Sequence, residues 1–250
     1  MTTLLIILVM LLVGMLLGFI GAGGSGFIIA ILTVGFGYPV HTAMGTALAA
    51  MMFTSLSGTV SQLRQKNTDL MSGLIVGLTG AVASWFGSGV ALSISPSYMK
   101  YFTAGMLTLS SIVLWLRLTL APERSSAAAG SRGPRYIVCA VAVGLVTGFL
   151  TGTFGIGSTP FIQVGMMLLL GLGMRTAAGT SMLVILPVAA AGGLGYYGEG
   201  SLDLSLLVTV LAGTMTGSYI GAKFTKRAPA KLLKTGMIAT PIAAACLMLL

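Results

Sequence analysis

The chain has 250 residues, 56% of them apolar and only 7% charged, against roughly a quarter charged in an ordinary soluble domain. Thirteen Lys and Arg with four Asp and Glu cannot cover a 25.5 kDa fold in water, and a mean hydropathy of +1.03 requires most apolar side chains to face lipid or one another. A soluble fold is excluded, and the net charge of +9 is too thinly spread to suggest nucleic acid; it marks loop topology instead.

Apolar segments are predicted at 3–19, 27–36, 40–63, 70–92 and 98–118. The first stretch has no basic residue ahead of it, so it reads as a transmembrane helix and not as a cleaved signal. A polar run containing Glu123, Arg124, Arg132 and Arg135 follows, rich in Ser, Gly and Pro, which is linker composition. Five more apolar segments come after it, at 136–153, 161–170, 176–197, 204–222 and 230–250. The division is therefore a first transmembrane repeat at 1–118, a cytoplasmic linker at 119–135 and a second repeat at 136–250. Cys139 and Cys246 both lie inside apolar runs, so neither a disulfide framework nor a cysteine metal site is expected, and no cofactor is implied.

The two blocks match without gaps at an offset of 134 residues. Gly21, Gly23, Phe27 and Ile28 fall on Gly155, Gly157, Phe161 and Ile162. Thr42-Ala43-Met44-Gly45-Thr46 falls on Thr176-Ala177-Ala178-Gly179-Thr180, and Asp69 on Asp203. An internal duplication of five segments is the construction common among secondary transporters. With ten crossings and the N-terminus outside, twelve of the 13 basic residues lie in inside loops and only Lys100 outside. Eight crossings would instead put the basic cluster at 223–234 outside, against the cytoplasmic bias of Lys and Arg. The expected fold is thus all-α: a polytopic membrane protein with an inverted 5+5 repeat and two short, broken or re-entrant segments.

Those short segments, 27–36 and 161–170, supply only about 15 Å of helix, half of a ~30 Å hydrocarbon core. The glycine-rich loops before them must reach into the protein interior, and non-helical backbone at that depth is tolerated only where it is buried or lines a cavity. Ser158 or Thr159 ahead of Pro160 has the pattern of an N-cap followed by proline at the first helical position. Free N–H groups and the positive end of a helix dipole there favour an anion. The candidate substrate-binding residues are Gly21, Gly23, Gly24, Ser25, Gly45 and Thr46 in the first half, with Gly155, Gly157, Ser158, Thr159, Gly179, Thr180 and Ser181 in the second. No Lys or Arg lies well within a hydrophobic segment, so neutral donors would hold the guest, which favours a small delocalised oxyanion. Each glycine also has a structural reading as close packing or turn geometry, and each hydroxyl as a bond to the carbonyl one turn back.

Gly23-Gly24-Ser25-Gly26 also matches the GxSG string of rhomboid-type intramembrane proteases, and His41 is the single histidine. Against a Ser/His dyad, His41 lies at the outer rim of the short segment, and the equivalent positions hold Thr159 and Arg175. His41 reads as an interfacial residue. Asp69 and Asp203 stand at helix starts, where a carboxylate caps free N–H groups.

The glycine motifs ahead of the short segments, each followed by (H/R)TAxGT(A/S) at His41 to Ala47 and Arg175 to Ser181, resemble those of the TauE/SafE sulfite exporter family over nearly the whole chain. Two features depart from the family pattern: the first half has Gly24-Ser25-Gly26 without a following proline, and the second has Gly157-Ser158-Thr159-Pro160. The resemblance implies an inner-membrane permease, not an enzyme, for sulfite, sulfonates or related anions. The alternative is a carrier or channel for another small solute. The expected partners are a small anionic substrate and the lipid bilayer, with a homodimer as candidate assembly and no nucleic acid.

Overall fold

The computed structural model describes residues 2–20, 25–120, 133–225 and 230–249. Among them are ten α-helices and no strand: α1 (Thr2–Ile20), α2 (Ser25–Ala30), α3 (Val40–Arg64), α4 (Leu70–Ser93), α5 (Pro96–Leu120), α6 (Pro134–Phe154), α7 (Thr159–Leu169), α8 (Met174–Gly198), α9 (Leu204–Thr225) and α10 (Ala230–Leu249). A π-helical turn, Ile31–Gly35, prolongs α2. Six helices are long and apolar enough to cross a membrane: Val40–Arg64, Leu70–Ser93, Pro96–Leu116, Pro134–Phe154, Arg175–Gly198 and Leu204–Gly221. Shorter apolar helices occupy Thr3–Leu17, Ser25–Gly35, Thr159–Leu169 and Ile238–Leu249. The helices α5 and α6 bracket the polar linker, whose residues 121–132 lie outside the described part.

Small residues determine the packing. A Cβ on Gly152 would run into the Ser84 carbonyl, one on Gly148 into Gly80, and one on Gly144 into Val76 and Thr79, so α4 and α6 lie in near backbone contact. Without a hydrophobic force between helices in lipid, such close approach is a main source of association. Both sets of partners climb together along the chain, so α4 and α6 run in the same direction. The glycines Gly14, Gly213 and Gly217 bring α1 and α9 together in the same parallel sense, Gly213 near Met10 and Gly217 near Met15. Along α8, Thr180 and Leu183 face Gly73, Pro187 faces Gly77 and Val188 faces Gly80, so α8 is parallel to α4. Between α3 and α8 the order reverses: Gly45 meets Tyr196, Ala49 meets Gly193 and Gly58 meets Met182. These two helices are antiparallel.

Because α6 and α8 point the same way, the 19 residues between them, 155–173, must carry the chain back across the bundle. They do so with a non-helical stretch and the short α7. Backbone details recur at the 134-residue offset. Gly37 and Gly171, at φ +71 and +66, end the two short helical stretches with the same pattern, Tyr38 N–H to Leu32 O at 3.0 Å and Leu172 N–H to Met166 O at 3.2 Å. Lys66 and Gly200 terminate α3 and α8 in the left-handed conformation, the first with a lysine where the second has glycine. Inside α10, Pro241 interrupts the helix bonding, and the Ser111 hydroxyl donates to the Ile238 carbonyl at 3.0 Å. The outward faces carry Leu74, Leu78, Val82, Phe86 and Val146, all exposed.

Gly148→Val would force a side chain into the Gly80 backbone, an overpacking that costs about 1–3 kcal/mol. A thermal melt in detergent should drop by roughly 3–10 °C, whereas Gly89→Ala, which meets nothing within 4 Å, should leave Tm within experimental scatter. Equal melts would contradict the packing described.

Candidate functional site

The second glycine loop begins where α6 stops. Gly155 adopts φ +66 and its N–H bonds the Thr151 carbonyl at 2.9 Å, the left-handed terminator that glycine alone takes without a Cβ penalty. From there to Thr159 every residue is buried. Gly155 lies against Met44 and Gly157 against Met51, so the loop descends alongside α3 to a level near its middle. There Gly157 N–H donates to the Ser25 hydroxyl at 2.8 Å, fully buried. Ser25 is the first residue of α2, so the entry of one short helix meets the loop that leads to the other. Ser25, Gly157, Ser158 and Thr159 are thus brought to one place in the interior. Gly21, Gly23 and Gly24 lie outside the described residues.

The expected N-cap is not formed. Ser158 occupies the cap position of α7, but its side chain makes no capping bond; Pro160 is the second helical residue and not the first. The Ser158 hydroxyl donates to the Ile156 carbonyl at 3.2 Å and the Thr159 hydroxyl to the Gly157 carbonyl at 2.6 Å. Serine and threonine often choose such local carbonyls, and here the tight loop places acceptors within two residues. The hydroxyls therefore brace the loop.

The two TAxGT strings do something else. A Cβ on Gly45 would stand 2.9 Å from the Ser201 carbonyl, and one on Gly179 would press on the carbonyl of Asn67, the residue equivalent to Ser201. Each string clasps the loop between two long helices of the opposite half. Thr180 Oγ1 accepts from Asp69 N–H at 2.9 Å, acting as an acceptor where a donor was expected, while Thr46 Oγ1 is buried without a hydrogen-bond partner. Ser181 alone of this group turns toward α7: it accepts from Gln163 Nε2 at 3.2 Å and donates to the Ala178 carbonyl at 2.7 Å.

Gln163 is a candidate site residue that the sequence reading missed. It is 7% exposed and sits one turn beyond Thr159 on the same side of α7. Its signal was available: it is the single amide in an otherwise apolar short segment, and polar side chains inside a membrane are costly and tend to be functional. The equivalent residues of the first half, Ile29 and Ala47, are apolar and buried. Tyr196 was missed as well; fully buried, it donates to the Gly152 carbonyl at 3.0 Å just ahead of the loop, and nothing in its local sequence distinguishes it from Tyr197.

The matched aspartates part company. Asp203 caps α9, its Oδ1 accepting from Ser205 N–H at 2.8 Å and Leu206 N–H at 3.2 Å. Asp69 does not cap α4; its Oδ2 accepts instead from the Ser72 hydroxyl at 2.7 Å and the Tyr136 hydroxyl at 3.2 Å. His41 donates through Nε2 to the Ala91 carbonyl at 3.0 Å, joining the start of α3 to the end of α4. With Ser25 bound to Gly157 and His41 to Ala91, no Ser/His dyad is formed. Lys226 and Arg227 of the basic cluster lie outside the described residues.

Helices of membrane-spanning length, packed on glycine stripes around a buried chain break, define a multi-pass membrane protein. The chain belongs to the sulfite exporter TauE/SafE family, whose model matches residues 6–248. It is 50% identical over 245 residues to the probable membrane transporter protein YdhB of Bacillus subtilis (strain 168), covering 98% of this chain and 99% of that one. It is 28% identical over 205 residues to YunE of the same organism, 77% of this chain and 75% of the relative. It is 24% identical over 245 residues to MJ0441 of Methanocaldococcus jannaschii, 92% and 89% of the two chains. Both of these are also named probable membrane transporter proteins. No solved structure matches the chain significantly. Family and relatives alike indicate a membrane transporter and not an enzyme.

Ser25→Ala would strand the Gly157 N–H in the interior, and an unsatisfied buried donor costs about 1–3 kcal/mol. Ser158→Ala removes only a longer local bond. Thermal melts should therefore rank Ser25→Ala clearly below Ser158→Ala, and the reverse order would refute the junction's structural importance.

Proposed function

We propose that this protein is a secondary transporter of small sulfur-containing anions, such as sulfite or organosulfonates, in the cell inner membrane, built as ten segments in an inverted 5+5 repeat. The inverted arrangement is supported by α3 and α8, which occupy equivalent positions in the two halves yet pack antiparallel, with Gly58 on Met182 and Leu48 beside Gly192 as a matched pair of contacts. An axis relating antiparallel helices lies across them, in the membrane plane. The parallel pairs α1 with α9 and α4 with α6 fit the same axis. Ten crossings follow if each short helix with its loop returns the chain, as the shared direction of α6 and α8 suggests.

The observation that carries the transport site is the buried Ser25–Gly157 bond. It joins the loop after α6 to the start of α2 near the middle of α3, the level at which inverted-repeat carriers hold their substrates. The groups gathered there are backbone amides, hydroxyls and the Gln163 amide, all neutral. Neutral donors suit an anion of low charge whose negative charge is spread over several oxygens, because no permanent cation then has to be held in the bilayer centre at ~2.5–3.5 kcal/mol or more. Sulfite and sulfonates meet that description, and the family's name points the same way. Rocking of one five-helix unit against the other would expose the junction alternately to each side.

Ligand-induced stabilisation tests the substrate class. At a hundredfold excess over Kd a ligand adds about 2.7 kcal/mol, so sulfite, thiosulfate or a sulfonate should raise Tm by several degrees while simple carboxylates do not. In proteoliposomes the wild type should move labelled sulfite, and Gly157→Val, which pushes on Met51 and the Ser25 bond, should abolish flux while remaining inserted. A shift produced by carboxylates or neutral solutes alone would favour a carrier of another solute, and wild-type flux in the variant would place the site elsewhere.

A further inference from the structure

The interactions around Asp69 differ from those of its equivalent, Asp203. The Asp69 carboxylate gathers the hydroxyl of Ser72, one turn along α4, and the hydroxyl of Tyr136, at the start of α6; Ser72 and Tyr136 also contact one another. Its backbone N–H is donated to Thr180 of α8, and next to it the Asn67 carbonyl presses on Gly179. The short loop between α3 and α4 is thereby pinned to the first turn of α6 and the second turn of α8, helices that start on this same face of the bundle. A carboxylate accepting two hydroxyls makes charge-assisted bonds, roughly twice as strong as neutral ones.

Among the described side chains, the loop around Asp203 on the opposite face does not repeat the carboxylate and threonine links made by Asp69. Asp203 spends its carboxylate on its own helix. The positions equivalent to Ser72 and Tyr136 are Leu206 and Thr2. The partner equivalent to Thr180 is Thr46, whose hydroxyl is buried and unbonded. Backbone packing is the same at both ends, Gly45 on Ser201 and Gly179 on Asn67, so the difference lies in the side chains.

We infer that Asp69, Ser72, Tyr136 and Thr180 form a one-sided latch that holds the α3–α4 loop closed over the entrance to the transport site. Beneath the latch the next residue of α8 is Ser181, bonded to Gln163, which lies one turn along α7 from Thr159 and the Ser25–Gly157 junction. A solute entering from this face must pass the Asp69 loop first and then these polar groups in turn. The face with the latch carries Arg64 and Lys66 in the same loop, which the distribution of basic residues puts on the cytoplasmic side. Leaving toward that side requires the Asp69 links to Tyr136 and Thr180 to part, whereas at the other loop Thr46 makes no such bond and Asp203 stays on its own helix. The inference rests on the transport reading for its purpose, but the closure itself can be tested without any substrate.

The test is cysteine accessibility in a chain with Cys139 and Cys246 replaced by alanine. Ser181→Cys, probed from the Lys66 face with a membrane-impermeant maleimide, should react slowly while the latch is intact. Tyr136→Phe and Asp69→Asn should each speed that reaction about tenfold, the effect expected from losing one strong hydrogen bond. Ala47→Cys, the equivalent position, probed from the opposite face in the same variants, should not speed up. Acceleration at Ser181→Cys alone supports the latch. No acceleration in either variant overturns it, and acceleration at both positions overturns it too, because the residues would then merely hold the fold together. Tyr136→Phe removes a single oxygen and keeps the experiment decisive should Asp69→Asn fail to insert. Absent sulfite flux with one-sided acceleration would refute the substrate and leave the latch standing.

Discussion

Lipid offers no hydrogen bonds, so every backbone group at membrane depth must find its partner inside the protein. This requirement governs the stretch after α6 where the chain stops being helical in the interior. There Gly157 N–H is met by a side chain from the other half of the molecule, Ser25, while the hydroxyls of Ser158 and Thr159 turn back to carbonyls of their own loop. A break satisfied in this way ties the two halves together at the start of α2. The short helices, the burial of the loop and the position of the candidate site all follow from that joint solution.

Glycine makes the surrounding frame close enough for this loop to meet the start of α2. Contacts between Gly148 and Gly80, and between Gly217 and Leu11, bring helix backbones together where any side chain would hold them apart. In a membrane bundle this contact is a source of cohesion and not merely a tolerance. The same stripes set helix direction, because partner positions advance together along α4 and α6 and oppose each other along α3 and α8. Direction in turn obliges the residues between α6 and α8 to return across the bundle.

The two halves share their backbone devices and differ in their side chains. Left-handed terminators recur at Gly37 and Gly171, and loop clasps recur at Gly45 and Gly179. By contrast, Gln163 and Ser181 have Ile29 and Ala47 as counterparts, and Thr46, the counterpart of Thr180, makes no bond where Thr180 accepts from Asp69 N–H. Backbone equivalence gives two similar loop clasps and two similar short helices. Side-chain divergence places the Gln163–Ser181 pair beside α7 and the Asp69 network at one loop only among the described side chains; on the transport reading these would make the site and its gates unequal.

Composition and spacing alone determined that the chain spans a membrane, that it consists of helices, that two segments are too short to cross unaided and that the glycine loops lie before them. Such features depend on transfer from water to lipid and on local periodicity, which are additive along the chain. Ser25 was legible as a loop residue, but its bond to Gly157 was not, since those residues are far apart in sequence and their meeting depends on how α3 packs. The same holds for Asp69, read as a cap like Asp203: both precede a helix, and only the arrival of Tyr136 from α6 gives one of them a better use for its carboxylate. Thr180 likewise became an acceptor because the opposite loop brought it the Asp69 N–H. Hydrogen-bond partners in this protein are chosen by helix crossings, and those depend on side-chain volumes summed over pairs of distant segments.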